Sequence, residues 1–240
     1  MIAHDPSLVI LSVTIAILGA FTACVMTSNI GSLSRSEGRM RIVMAALTLG
    51  GSIWATDFVG LLSIEAPVNF AYRPLLLALS AAAAFAGTTA GLFLLGQKRA
   101  ENTVRLPLAA AVFGIAIAAT NYLSMGAVTG GGLQLSWFLT SICVAFSVQA
   151  GLMVLWFLFW PRGVILSLAG AIALGLLISS AHYLAIASSH DLDLTLLAVP
   201  RNTSGVSARY LAWAATIMMY LICSICLSVF VIMQFREEME

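Results

Sequence analysis

The chain has 240 residues, of which 61% are hydrophobic and only 9% charged. A water-soluble domain carries about 25% charged residues, so no soluble fold would hide this much apolar surface, and lipid must be its solvent. The net charge is +1 and Lys and Arg sit singly in what read as loops, which excludes a nucleic-acid partner.

Seven apolar segments reach the roughly 20 residues that a membrane crossing needs. They fall at residues 8–26, 42–62, 75–95, 106–128, 133–160, 164–187 and 210–235. The first follows Met-Ile-Ala-His-Asp-Pro, without the positive leading region of a signal peptide, so it reads as a retained helix. Arg73-Pro74 opens the third segment, because proline suits a first helical turn. Between Arg105 and Arg162 there is no charge at all, and Thr129-Gly130-Gly131-Gly132 divides that stretch into two helices. Pro161-Arg162-Gly163 makes the next turn. Residues 188–209 form the longest connection, which reads as a surface lid and holds His190, Asp191 and Asp193.

Basic residues set the orientation. Arg35, Arg39, Arg41, Lys98, Arg99, Arg105, Arg162 and Arg236 fall on one side, against Arg73, Arg201 and Arg209 on the other. The first side is therefore cytoplasmic, with the N-terminus outside and the C-terminus inside. Cys24, Cys143, Cys223 and Cys226 all lie in apolar runs and read as packing residues rather than a disulfide framework. Trp137, Phe138, Trp156, Phe157, Phe159 and Trp160 flank the fifth segment and read as interfacial anchors. Trp213, Met218, Met219 and Tyr220 read as lipid-facing or helix-packing surface.

Three stretches align without gaps: 50–58 (GGSIWATDF), 114–122 (GIAIAATNY) and 175–183 (GLLISSAHY). Each places a glycine seven residues before a polar residue and an aromatic directly after it. Seven residues are about two helical turns, so glycine and polar group share a face, and the glycine lets a neighbouring helix come close. All three stretches close even-numbered helices, which puts Asp57, Asn121 and His182 at one depth near the outer face. An ionisable group there is costly unless paired or wet. The trio is therefore expected to turn inward as a ligand site or a packing network. Tyr122 and Tyr183 beside it read as cluster members or interfacial anchors.

These stretches resemble the MHYT domain, a bacterial membrane-sensor family built of helix pairs, each ending in Met-His-Tyr/Phe-Thr/Val-Gly-Met. Residues 51–61 (GSIWATDFVGL), 119–125 (ATNYLSM) and 180–186 (SAHYLAI) match the three motifs, and Asp5-Pro6-Ser7-Leu8-Val9 with Ser12 is similar to the family's start. The resemblance spans nearly the whole chain. It implies an all-α membrane protein, one domain over residues 1–240, with seven transmembrane helices in repeated pairs. It also implies copper, held by motif methionines and histidines and used to sense oxygen, carbon monoxide or nitric oxide. Met sulfur and His nitrogen suit copper. Here Thr56, Thr120 and Ala181 stand in place of the methionines, and Asp57 and Asn121 in place of two histidines. Only His182 remains as a nitrogen ligand, so the sequence predicts clearly less than one copper per chain. His4 with Asp5, and His190 with Asp191 and Asp193, are the candidates for a hard-metal site on the outer side.

The family's output domains make or break cyclic di-GMP. The sequence runs only about five residues beyond its last predicted helix, too few to fold a domain, so a signal is expected to pass to another membrane or signalling protein. The reading that follows is a sensory or accessory protein in the bacterial inner membrane, not an enzyme, since no nucleophile with a positioned base is visible. The alternatives are a structural subunit of a larger complex and, less well supported, a small transporter.

Overall fold

The structure is a computed structural model that describes residues 4–28, 30–64, 73–96, 104–128, 136–159, 163–188 and 208–237. These form seven α-helices: α1 (Pro6–Thr27), α2 (Arg35–Leu62), α3 (Pro74–Leu95), α4 (Arg105–Gly126), α5 (Trp137–Leu158), α6 (Val164–Ser188) and α7 (Ala208–Glu237). All seven are long and apolar enough to cross a membrane. No strand occurs among the described residues. The glycine turn at 129–132, the turn at 161–162 and the loop at 189–207 lie outside the described residues.

The helix starts follow local chemistry. Asp5 caps α1 by accepting from the Ser7 amide at 2.9 Å, with Pro6 at the first position. Pro74 opens α3 in the same way. At α2, Ser34 and Glu37 form a reciprocal capping box, each side chain bonding the other's backbone amide. That box starts α2 at Arg35, seven residues before the segment predicted from apolar periodicity. It also corrects the placing of basic residues in loops: Arg35, Arg39 and Arg41 are helical, and Arg105 begins α4. Arg41 is buried. Its guanidinium reaches the Ser28 carbonyl at the end of α1 at 3.5 Å and stacks over the Phe230 ring of α7 at 4.8 Å.

Helices α1 to α6 form a ring of three pairs, α1–α2, α3–α4 and α5–α6. Consecutive pairs touch, and α6 closes on α1. The even-numbered helices α2, α4 and α6 also meet one another at the centre, and α7 packs outside against α1 and α2. Burial agrees: 78% of the membrane window of α2 is buried against 28% for α3 and α7, so α2 is the central post.

The repeat glycines explain how the ring closes. A Cβ at Gly50 would lie 3.2 Å from the Phe85 Cα of α3, one at Gly114 2.3 Å from the Val148 Cα of α5, and one at Gly175 2.7 Å from the Ile17 Cα of α1. Each glycine thus marks the point where an even helix meets the backbone of the next pair. Between lipid-immersed helices such close packing replaces the expulsion of water as the driving force. Two residues further along, Ser52 meets Gly19 and Ala116 meets Gly87, small on small, within the first and second pairs. The third pair departs from this pattern, since the Phe157 ring lies on Gly170 instead. Phe157 and buried Phe159 therefore pack against the core rather than anchoring at an interface. Trp137 and Phe138 do stand outward. Met219 is buried and its sulfur abuts Gly51. The four cysteines are buried and form no disulfide.

Candidate functional site

The three polar motif residues converge. Asp57 of α2, Asn121 of α4 and His182 of α6 are all buried, and both neighbours address one ring nitrogen. His182 Nδ1 lies 3.0 Å from Asn121 Oδ1 and 3.2 Å from Asp57 Oδ1. Two oxygens at that nitrogen mean that Nδ1 carries the hydrogen and donates it to both. Because each acceptor comes from a different helix, the imidazole ties the three central helices together at one level.

The cluster is incompletely satisfied. Asp57 Oδ2, Asn121 Nδ2, His182 Nε2 and Ser124 Oγ are buried and have no hydrogen-bond partner among the described residues. Ser124 lies one turn beyond Asn121, on the same face. Buried polar atoms are normally paired, so each unpaired one calls for an explanation.

Tyr183 stands edge-on to the His182 ring, centroids 5.2 Å apart, and its hydroxyl donates to Ser12 Oγ at 3.1 Å. The Ser12 hydroxyl itself donates to the Val9 carbonyl at 2.8 Å. Tyr122 bonds Ser188 at 3.1 Å, next to the cluster but not in it. His4 donates from Nδ1 to Ser63 Oγ at 2.9 Å, whose own hydroxyl donates to the Gly60 carbonyl at 2.6 Å. His190, Asp191 and Asp193 lie outside the described residues.

Several members carried no signal in the three-fold alignment as drawn. Gly60 is the plainest: a Cβ there would lie 2.4 Å from His182 Nε2, so only a glycine lets α2 pass the imidazole. It sits three residues after Asp57, at the motif's glycine position. One residue further, Leu61, Met125 and Ile186 occupy the motif's second methionine position and pack together in one apolar cluster. Both lie inside the motif matches at 51–61, 119–125 and 180–186, but beyond the gapless alignment of 50–58, 114–122 and 175–183.

Copper fits this donor set poorly. Thr56 donates to the Ser12 carbonyl at 3.2 Å and Thr120 to the Ala116 carbonyl at 2.8 Å, so neither hydroxyl serves the cluster, and Ala181 offers no donor atom. His182 Nδ1 is already committed to two oxygens, and Nε2 faces the Gly60 backbone. Among the described residues no three His, Cys, Asp or Glu side chains gather as candidate metal ligands, and of the motif's second methionines only Met125 remains, packed in the apolar cluster.

Comparison with known proteins places this geometry in context. Residues 50–107, from the second half of α2 to the start of α4, match the MHYT family model, described as a bacterial signalling protein N-terminal repeat. The resemblance drawn from the motifs is borne out. The chain is 32% identical over 145 residues to the cyclic di-GMP phosphodiesterase NbdA of Pseudomonas aeruginosa, covering 59% of this chain and 18% of that relative. It is 30% identical over 195 residues to the bifunctional diguanylate cyclase/cyclic di-GMP phosphodiesterase MucR of the same organism, covering 78% of this chain and 28% of that relative. It is 22% identical over 130 residues to the signaling protein YkoW of Bacillus subtilis, covering 53% of this chain and 16% of that relative. The chain thus spans less than a third of each of these relatives. No solved structure matches it.

Proposed function

We propose that this chain, a multi-pass membrane protein carrying an MHYT signalling repeat, is a sensory or accessory domain whose state is set at Asp57, Asn121 and His182 and read by another signalling protein. One observation carries the reading: residues of three separate helices, equivalent in the repeat, meet at a single imidazole nitrogen. A species that competes for that nitrogen has differential affinity for two spacings of α2, α4 and α6, which is what a sensor requires. The names of two relatives point to cyclic di-GMP turnover as the process served. Copper is not the species sensed, given the donors present.

Residues 1–240 act as one domain in the bacterial inner membrane, N-terminus outside and C-terminus cytoplasmic, supported by the excess of basic residues on one side. Reporters active only in the cytoplasm are expected to work when fused after Glu240 or near Glu101 and to fail near Asp191. Cytoplasmic activity at Asp191 would overturn the orientation.

Purification from native membranes in mild detergent tests the function. The expected product is a stable complex with a signalling protein and clearly less than one copper per chain. The partner's activity should change in His182→Gln while the complex survives. A partner indifferent to both Asp57→Asn and His182→Gln would leave only a structural subunit, and stoichiometric copper lost in His182→Gln would restore the metal sensor.

A further inference from the structure

The polar trio is sealed from the end of the bundle where α2, α4 and α6 stop. One turn beyond it, Leu61, Met125 and Ile186 pack with Ile64 and Ala185 into an apolar layer, against which Tyr122 and Tyr183 rest. Over that layer runs a short non-helical segment, His4 and Asp5, fastened to the last turn of α2. The Asp5 amide donates to the Ser63 carbonyl at 2.7 Å. His4 donates to the Ser63 hydroxyl at 2.9 Å and pairs through its backbone with Ile64. Its ring stands edge-on to Tyr183, centroids 5.8 Å apart.

Ser63 is therefore the anchor, and it is fully buried. Its hydroxyl also donates to the carbonyl of Gly60, the residue against His182 Nε2. Two chains of contact consequently run from His4 to the imidazole, one through Ser63 and Gly60 and one through Tyr183. The segment meets the bundle at Ser63, Ile64 and Tyr183, whereas each helix packs along its length, so it opens more readily than the bundle itself.

We propose that His4 and Asp5 form a strap closing the aqueous route to Asp57, Asn121 and His182, and that its release from Ser63 admits water and small polar solutes. The proposal rests on reading the trio as the functional site. It gives the unpaired atoms Asp57 Oδ2, Asn121 Nδ2 and Ser124 Oγ their partners: aqueous species that arrive when the strap lifts. Tyr183 senses the opening from both sides, since its ring touches His4 and His182 and its hydroxyl holds α6 to α1.

A thiol at position 124 reports on the route. Ser124→Cys is a mild change one turn from Asn121, and the four native cysteines are buried. The probe is a negatively charged methanethiosulfonate, which does not partition into lipid, with labelling read peptide by peptide by mass spectrometry in detergent-solubilised full chain. With the strap intact, labelling at 124 should be slow. In the His4→Ala/Ser63→Ala background it should rise several-fold, as expected when one net hydrogen bond and the His4–Tyr183 ring contact no longer oppose opening. The clamp His4→Cys/Ser63→Cys, oxidised, should label more slowly than the unclamped protein and return to its rate on reduction. The clamp decides the matter even where the alanine pair unfolds. Equal rates in the oxidised and reduced clamp would overturn the strap. A trio with no signalling role would leave these rates as expected, and a failed strap would leave the trio's effect on a partner untouched, so the two readings fail separately.

Discussion

Gly114→Val is expected to prevent assembly of the bundle, with a stability loss above about 3 kcal/mol, the upper range for forcing atoms into a packed interior. The reason is which atoms stand in the way. A Cβ at 114 would lie 2.3 Å from Val148 Cα, 2.6 Å from the Ser147 carbonyl oxygen and 2.6 Å from the Val148 amide nitrogen, all backbone of α5. A flexible side chain can swing aside, but a helix backbone can only retreat as a whole. Retreat would cost the packing between α4 and α5 and displace Asn121, which lies two turns along the same face. Gly114→Ala should do the same to a smaller degree. Gly126→Ala is the control, because nothing lies within 4 Å of a Cβ there. Thermal stability and the yield of monodisperse protein in detergent measure the effect. A Gly114→Val protein as stable as Gly126→Ala would show that the repeat glycines do not set the helix spacing.

Much of the architecture was legible because lipid imposes strong rules. Each crossing must satisfy its own backbone and must be apolar for about 20 residues, so the seven spans could be placed within a few residues except at α2. There the polar start Arg35-Ser36-Glu37-Gly38-Arg39 carries no apolar signal, and only the Ser34–Glu37 capping box reveals that the helix has begun. The burial of Arg41 was hidden for a related reason. A positively charged residue near a span end reads as an interface residue, and nothing in sequence shows that Ser28 and Phe230 converge on it.

At the site, the repeat made Asp57, Asn121 and His182 visible as equivalents, since a seven-residue offset survives in any helix. What the repeat could not show is the contact order between helices. That His182 Nε2 presses on Gly60, and that Ser63 anchors His4, depends on how α2 and α6 are rotated about their axes. The aromatic residues at the end of α5 misled for the same reason, because Phe157 and Phe159 turn to the core and Trp137 and Phe138 do not.

Asp57 and His182 are expected to act as one unit, and a double-mutant cycle measures their coupling. Removing His182 strands the oxygens of Asp57 and Asn121 that now accept from Nδ1, and leaves a void where the ring was. Removing Asp57 leaves Nδ1 with one acceptor instead of two. An unsatisfied buried polar group costs about 1–3 kcal/mol, and more when the group is charged. His182→Ala is therefore expected to lower thermal stability in detergent more than Asp57→Ala, and both should lower it. In the double variant the carboxylate that His182→Ala would strand is gone, so its loss should fall short of the sum of the two by about 1–3 kcal/mol, the range for residues in direct contact. Additivity to within about 0.5 kcal/mol, as for residues that do not meet, would contradict the convergence on which the proposed site depends.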